Sequence, residues 1–309
     1  MSRIVVAIPT YRRPQGLGRL LRALAALRTG AELRILVADN DFEREEGRAI
    51  VKQIKSESYR WPLDVISVPE RGIAQARNAL VAHALDKFDP EFLAMLDDDE
   101  WPDADWLENF LAVAQMTSAD ALHGSVVPEF ELEPGCWART CRGLAPWRGK
   151  TGSVSMIHST SNVLIRRAAL DALARPYFDA RFALSGGEDK EFFTRLAKAG
   201  ARFAWADAAV VNAYVPASRS TPGWALQRAF RIGNSDMRVF IKYEHGMYLR
   251  VWETVKIATA LAVSPVAAIL AAPLASRRMA PLCKFARAAG KLAAMLGARY
   301  DEYTVTHGQ

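Results

Sequence analysis

Cysteine is scarce: three residues in 309, Cys136, Cys141 and Cys283. The odd, low count excludes a disulfide scaffold and points to a reducing compartment. Cys136 and Cys141 have no histidine nearby, and the five histidines are scattered, so a zinc site is not favoured. Single histidines such as His158 or His245 add no ligand set of their own. Met1-Ser2-Arg3 runs straight into a strand-like segment, which leads us to expect no signal peptide. Internal repeats and low-complexity linkers are absent. What remains is 50% apolar and 24% charged, with a mean hydropathy of −0.03, the composition of a folded globular chain rather than a disordered or collagen-like one.

Apolar runs and helical spacings alternate through the first half. Arg3 to Ile8 reads as a buried strand stopped by Pro9. Leu17, Leu20, Leu21, Leu24 and Leu27 mark a helix with one apolar face. Strands are expected at Leu33–Ala38, Val65–Val68 and Phe92–Leu96, and helices at Ile73–Leu85 and at Asp105–Met116, with Asp105 as cap. Such alternation predicts an α/β fold with a parallel sheet covered on both faces. The second half is less regular: strands near Ala121–Val127, Asn162–Ile165 and Ala201–Val211, helices near Arg167–Ala174, Phe192–Lys198 and Trp224–Phe240, and a loop-rich stretch from Pro128 to Gly152. Residues 1–245 read as one domain.

Residues 246–309 read as a helical tail. Ile257 to Ser276 carries no charge, although Pro265 and Pro273 interrupt it. Twenty helical residues just span a hydrocarbon core of roughly 30 Å. Beyond it Leu282, Phe285, Ala289, Leu292 and Leu296 form an apolar face with Lys284, Arg287, Lys291 and Arg299 beside or opposite it. Between Arg250 and Arg299 there are eight basic residues and one acid, Glu253. An anionic membrane surface is the expected partner of this tail. No aromatic-basic platform accompanies it, which argues against nucleic acid.

The sharpest feature is Asp97-Asp98-Asp99-Glu100, directly after an apolar strand. Open α/β sheets bind ligands outside the carboxyl ends of their strands, and Asp39 ends another. Adjacent carboxylates repel unless a cation or hydrogen bonds offset the repulsion. In an extended segment Asp97 and Asp99 share one side and Asp98 points away. Two hard oxygen donors suit Mg²⁺ or Mn²⁺ carrying a diphosphate, since such ions keep few protein ligands.

Five short motifs stand in order: Ile8-Pro9-Thr10-Tyr11 with Arg13; Asp39-Asn40; Gly72 with Ala76-Arg77-Asn78; Asp97-Asp98-Asp99; and Glu188-Asp189. Over roughly residues 4 to 240 the chain resembles a family 2 glycosyltransferase of the GT-A fold (Rossmann-like, with a mostly parallel sheet), near the bacterial exopolysaccharide enzymes of the ExoM type. The resemblance implies that Pro9, Thr10, Tyr11 and Arg13 line the nucleoside pocket, that Asp39 accepts from base or ribose, and that Arg77 and Asn78 help close the site. It further implies that Asp97 faces the ribose, with Asp98 beside it in the nucleotide-sugar site, that Asp99 binds the metal, and that Asp189 is the general base. Glu188 assists Asp189 or caps the following helix. Arg228 and Arg231, three apart on one helix, match a basic motif near the diphosphate. Of the tryptophans, Trp137 and Trp147 are the ones expected at a sugar acceptor.

The expected activity is inverting transfer from a nucleotide sugar, UDP-linked, to a saccharide or polyprenyl-diphosphate-linked saccharide. A divalent cation, Mn²⁺ or Mg²⁺, would assist at the cytoplasmic face of the inner membrane in bacterial surface-polysaccharide synthesis. A nucleotidyltransferase would place a Gly-rich basic loop after the first strand, where Pro9-Thr10-Tyr11 stands instead. A non-catalytic, membrane-attached binding protein would not need Asp189.

Overall fold

Ile4 to Ile8 alternate between two buried layers, because both faces of the first strand are covered. That strand, β1 (Arg3–Thr10), opens a computed structural model that describes residues 1–141, 143–183 and 186–300. It is followed by α1 (Pro14–Ala25), β2 (Glu32–Asp39), α2 (Glu46–Ser56), β3 (Leu63–Ser67), α3 (Ile73–Phe88), β4 (Phe92–Met95), β5 (Glu100–Pro102) and α4 (Trp106–Thr117). Next come β6 (Ala121–Phe130), β7 (Gly152–Val154), β8 (Val163–Arg166), α5 (Arg167–Asp171), α6 (Glu188–Lys198) and β9 (Phe203–Val215). Three helices close the described chain: α7 (Pro222–Tyr243), α8 (Met247–Ala271) and α9 (Met279–Met295).

The sheet runs β3-β2-β1-β4-β8-β6-β9-β5, with β7 also on β9. β3, β2, β1 and β4 are parallel, as expected of strands separated by helices. The other half departs from the parallel expectation. β8 enters antiparallel between β4 and β6, and β5 and β7 are antiparallel to β9, while β6 and β9 are parallel. Beneath one face pack α1, α2 and α4 through Leu17, Leu20, Leu21, Val51, Trp106 and Phe110. The other face carries α3, α5 and α6 through Leu80, Val81, Leu170, Phe192 and Phe193.

Several local expectations change. The Ala201–Val211 segment holds one strand, which starts at Phe203 and runs on to Val215. Asp105 precedes α4 without a capping bond, because its carboxylate pairs with Arg28. The charge-rich α2 was not expected from the sequence; it buries Gly47, Val51 and Ile54 along one face. The uncharged stretch begins its helix ten residues earlier than its first uncharged residue, at Met247, and Pro265 sits inside it. α8 is largely exposed: Tyr248 is 78%, Ile269 73% and Leu270 75% accessible. On α9 the predicted apolar side chains Leu282, Phe285 and Leu292, and Leu296 just past its end, are exposed, while Met279 and the small residues Ala288, Gly290 and Ala294 are buried.

Candidate active site

Strands β1, β2 and β4 end side by side, so Thr10, Asp39 and the Asp97–Glu100 run share one edge. Asp39 is buried, and its carboxylate turns to backbone, accepting from Asp41 N–H at 3.1 Å and from Arg48 N–H at 2.8 Å. The second contact holds the first turn of α2. Glycine at 47 permits it, since a Cβ there would lie 2.9 Å from the Asp39 carboxylate. Asn40 spans to the next loop, donating to the Val68 and Glu70 carbonyls and accepting from Gly72 N–H.

The acid run does not stay extended. A turn at Asp98-Asp99 closes through Glu100 N–H to the Asp97 carbonyl at 3.1 Å. Alternation therefore fails, and Asp98, expected to point away, faces inward. Thr10 Oγ1 donates to it at 2.8 Å, and Arg13 donates to Asp98 at 3.0 Å and to Asp99 at 2.8 Å. Burial pushes Asp98 up to about 6, even with Arg13 opposing it. Burial also lifts Asp97, against the pull of Arg77, and holds Glu100 well above its usual range, where Ser161 Oγ donates to it at 2.7 Å.

Arg77 joins the two halves. It is 4% exposed on α3, and its guanidinium reaches Asp97 at 3.1 Å, Glu188 at 2.6 Å and Asp189 at 2.5 Å. The end of β4 and the start of α6 are thus tied through one cation, 92 residues apart between Asp97 and Asp189. Thr160 Oγ1 donates to the same Asp189 oxygen at 3.0 Å. The Asp189 side chain is 22% exposed, while Glu188 is closed off at 4%. Burial first, and the neighbouring Asp189 second, push Glu188 up to about 8. Between its ordinary 4.5 and that value the folded state binds the proton more tightly than the unfolded chain, so this group's contribution to stability falls as pH rises through the interval. Glu188→Gln, which mimics the protonated acid, should keep the fold and flatten the dependence of Tm on pH over that window. Thermal melts of both proteins across the window check this.

Other expected residues sit at varied distances from this cluster. Pro9 is buried in β1 opposite Ala38. The Tyr11 ring carries Arg12 and Arg71 guanidinia, each 5.0 Å from its centroid. Asn78 uses its amide to clamp the Phe178 backbone in both directions at 2.8 Å, joining α3 to the segment ahead of α6. Arg228 stacks on Trp224 at 5.0 Å and lies against Gly143, and Arg231 lies beside Gly186, ahead of α6. Trp137 is 7% exposed in a small apolar cluster with Met279, which removes it as a sugar platform. Trp147 is 37% exposed and packs on His123 at 4.3 Å. Sequence reasoning missed Thr160, Ser161 and Arg219, which reaches Asp99 at 3.5 Å. Lone hydroxyls and arginines in irregular segments carry no periodic signal.

Among the described residues no group of three or more His, Cys, Asp or Glu side chains is arranged to hold a metal ion. Asp99 is 23% exposed and hard in donor character, and Arg13 and Arg219 already flank it. This donor set fits a cation that brings its other ligands with a diphosphate, rather than one caged by protein alone.

The family model "Glycosyl transferase family 2" matches residues 5–173, and "Glycosyl transferase family group 2" matches residues 92–298. The succinoglycan biosynthesis protein ExoM of Rhizobium meliloti is 34% identical over 305 residues, 97% of this chain and 94% of that protein. In fold, the chain resembles the mannosyltransferase PcManGT from Pyrobaculum calidifontis, solved with GDP-Man and Mn²⁺, at a TM-score of 0.65 and 17% identity over 96% of this chain and 88% of that one. It also resembles S. aureus TarS 1-349, solved with UDP, at a TM-score of 0.51 and 17% identity over 96% and 92%.

Proposed function

The chain belongs to glycosyl transferase family 2, a glycosyltransferase of exopolysaccharide synthesis, and on that premise we propose that it moves a sugar from a UDP-sugar to a lipid-linked saccharide, with inversion and with Asp189 as general base. The observation that carries this reading is the Arg77 bridge, which holds a donor-side acid, Asp97, and the proposed base, Asp189, on one guanidinium. Thr10, Tyr11 and Arg13 at the end of β1 would bind the nucleoside diphosphate. Asp97 would meet the ribose, with Asp98 held behind it by Thr10 and Arg13.

The acceptor hydroxyl oxygen attacks the anomeric carbon as the bond from that carbon to the diphosphate oxygen breaks. Asp189 takes the hydroxyl proton, and the electron pair leaves with the diphosphate. Arg77 and Thr160 on one carboxylate oxygen orient the base before substrate arrives. Protonated Glu188 beside it keeps a second negative charge away from Asp189. Asp99 would hold Mn²⁺ or Mg²⁺, which when bound supplies charge neutralisation for the leaving diphosphate. TarS with UDP and PcManGT with GDP-Man and Mn²⁺ support a nucleotide-sugar donor and a divalent ion for this chain. Asp99→Ala should abolish Mn²⁺-stimulated turnover and leave the folding stability within about 1 kcal/mol of wild type, since the Asp99 pairs are partly exposed. A Mn²⁺ titration of nucleotide release, run on a panel of UDP- and GDP-sugars with membrane lipid extract as acceptor, checks both donor and metal.

Membrane attachment at the cytoplasmic face is proposed through α8. Its 25 residues measure about 37 Å. Val263, Val266, Ile269 and Leu270 are between 56% and 75% exposed, an apolar face of the kind that marks membrane or partner contact. Exchanging Ile269 and Leu270 for Glu should move the protein from the membrane pellet to the supernatant. Unchanged sedimentation with membranes would contradict this part.

A further inference from the structure

Lys190 is out of place by the usual rules. It follows Asp189 in the first turn of α6, where the helix dipole favours acids and disfavours a cation. Its ammonium is anchored outside the helix, on Asp236 of α7 at 2.5 Å. The other Asp236 oxygen is held by Arg287 of α9, through Nε at 3.1 Å and a second short contact from the same guanidinium. Burial alone would lift Asp236, but Lys190 and then Arg287 outweigh it and hold the carboxyl below its usual range. Ser235 Oγ, one residue earlier, donates to the Gly186 carbonyl at 3.1 Å and pins the loop that enters α6.

The helix that supplies Arg287 is not loosely attached. At the α7–α9 crossing, a Cβ on Gly233 would lie 2.0 Å from the Arg287 carbonyl oxygen, and one on Gly290 would lie 1.9 Å from the Phe230 carbonyl oxygen. The backbones are therefore in contact, and Asn234 donates across the seam to the Gly290 and Ala298 carbonyls. Lys291 of α9 also pairs with Glu253 of α8. A continuous chain of contacts leads from the exposed apolar helix, through α9, to the residue beside the base.

We propose that Arg287 is a positioning residue for transfer: through Asp236 and Lys190 it fixes the first turn of α6, so that seating of the tail helix completes the placement of Asp189. The inference rests on reading Asp189 as the base. A misplacement of the base by about 1 Å costs on the order of a hundredfold in rate.

The test uses full-length protein in detergent. Arg287→Met and Asp236→Asn each cut the chain, and Arg287→Lys keeps a cation at the Asp236 oxygen. Three readouts are taken: hydrogen exchange of the first bonded α6 amides (191–194), binding of UDP with Mn²⁺, and kcat and KM for the nucleotide sugar accepted in the donor panel. Both cutting variants should speed exchange in that turn and lower kcat by about tenfold to a hundredfold, with KM and UDP binding near wild type. Arg287→Lys should restore most of both. Wild-type exchange in α6 and wild-type kcat in Arg287→Met would overturn the inference, as would a loss that Arg287→Lys does not repair. Full turnover in Asp189→Asn would instead remove the base assignment, while the exchange result would still report on the Arg287 chain.

Discussion

Asp189→Asn is expected to lower transfer by about a thousandfold while nucleotide binding stays within about twofold of wild type. The amide fills the same space and can still face Arg77 and Thr160, but it cannot accept the proton that the attacking hydroxyl loses. The effect should fall on kcat, because the acid is poised at the start of α6 rather than among the residues proposed to grip the nucleotide. Steady-state kinetics paired with calorimetric UDP titration separates the two quantities. Equal losses in both would mean that Asp189 is part of the donor site instead.

Arg77→Met should be the most damaging substitution for stability. The buried guanidinium is shared by Asp97, Glu188 and Asp189, and its removal leaves them facing one another with no cation between. Breaking a buried ion pair from one side costs about 3–5 kcal/mol, a fall in Tm on the order of 5–10 °C for a chain of this size. Asp97 is 34% and Asp189 22% exposed, so water recovers part of their share, and burial has already pushed the closed Glu188 toward its neutral form. Arg77→Lys should fall between wild type and Met, since an ammonium cannot reproduce the fork that meets three acids.

The sequence made the parallel half of the sheet legible because its strands are short apolar runs and the helices α1 and α3 between them carry apolar faces, although the charge-rich α2 was not expected. The antiparallel pairing of the other half was not legible, although β6, β8 and β9 were read as strands. β5, β7 and β8 are three or four residues long, and their partners lie far away in sequence, where no local pattern records the pairing. At the site, the acids were visible as a run and as a pair, but their geometry was not. The turn at Asp98-Asp99 reverses the expected sidedness, and Asp39 spends its oxygens on the α2 backbone. Arg77 stood out only as part of a short motif, and nothing local indicated that it meets α6. The tail misled in one respect. Arg287 and Lys291 look like part of a lipid-facing basic stripe, yet they are committed to Asp236 and Glu253. Arg277, Arg278 and Lys284 remain exposed toward any anionic surface.

A single in-line displacement assisted by one carboxylate leaves a stereochemical record. The measurement that bears most directly on the account is the anomeric configuration of the first product, read by proton NMR coupling constants after one round of transfer by the wild-type enzyme. The account predicts a linkage of the opposite configuration to the donor sugar. A product that keeps the donor's configuration would contradict it.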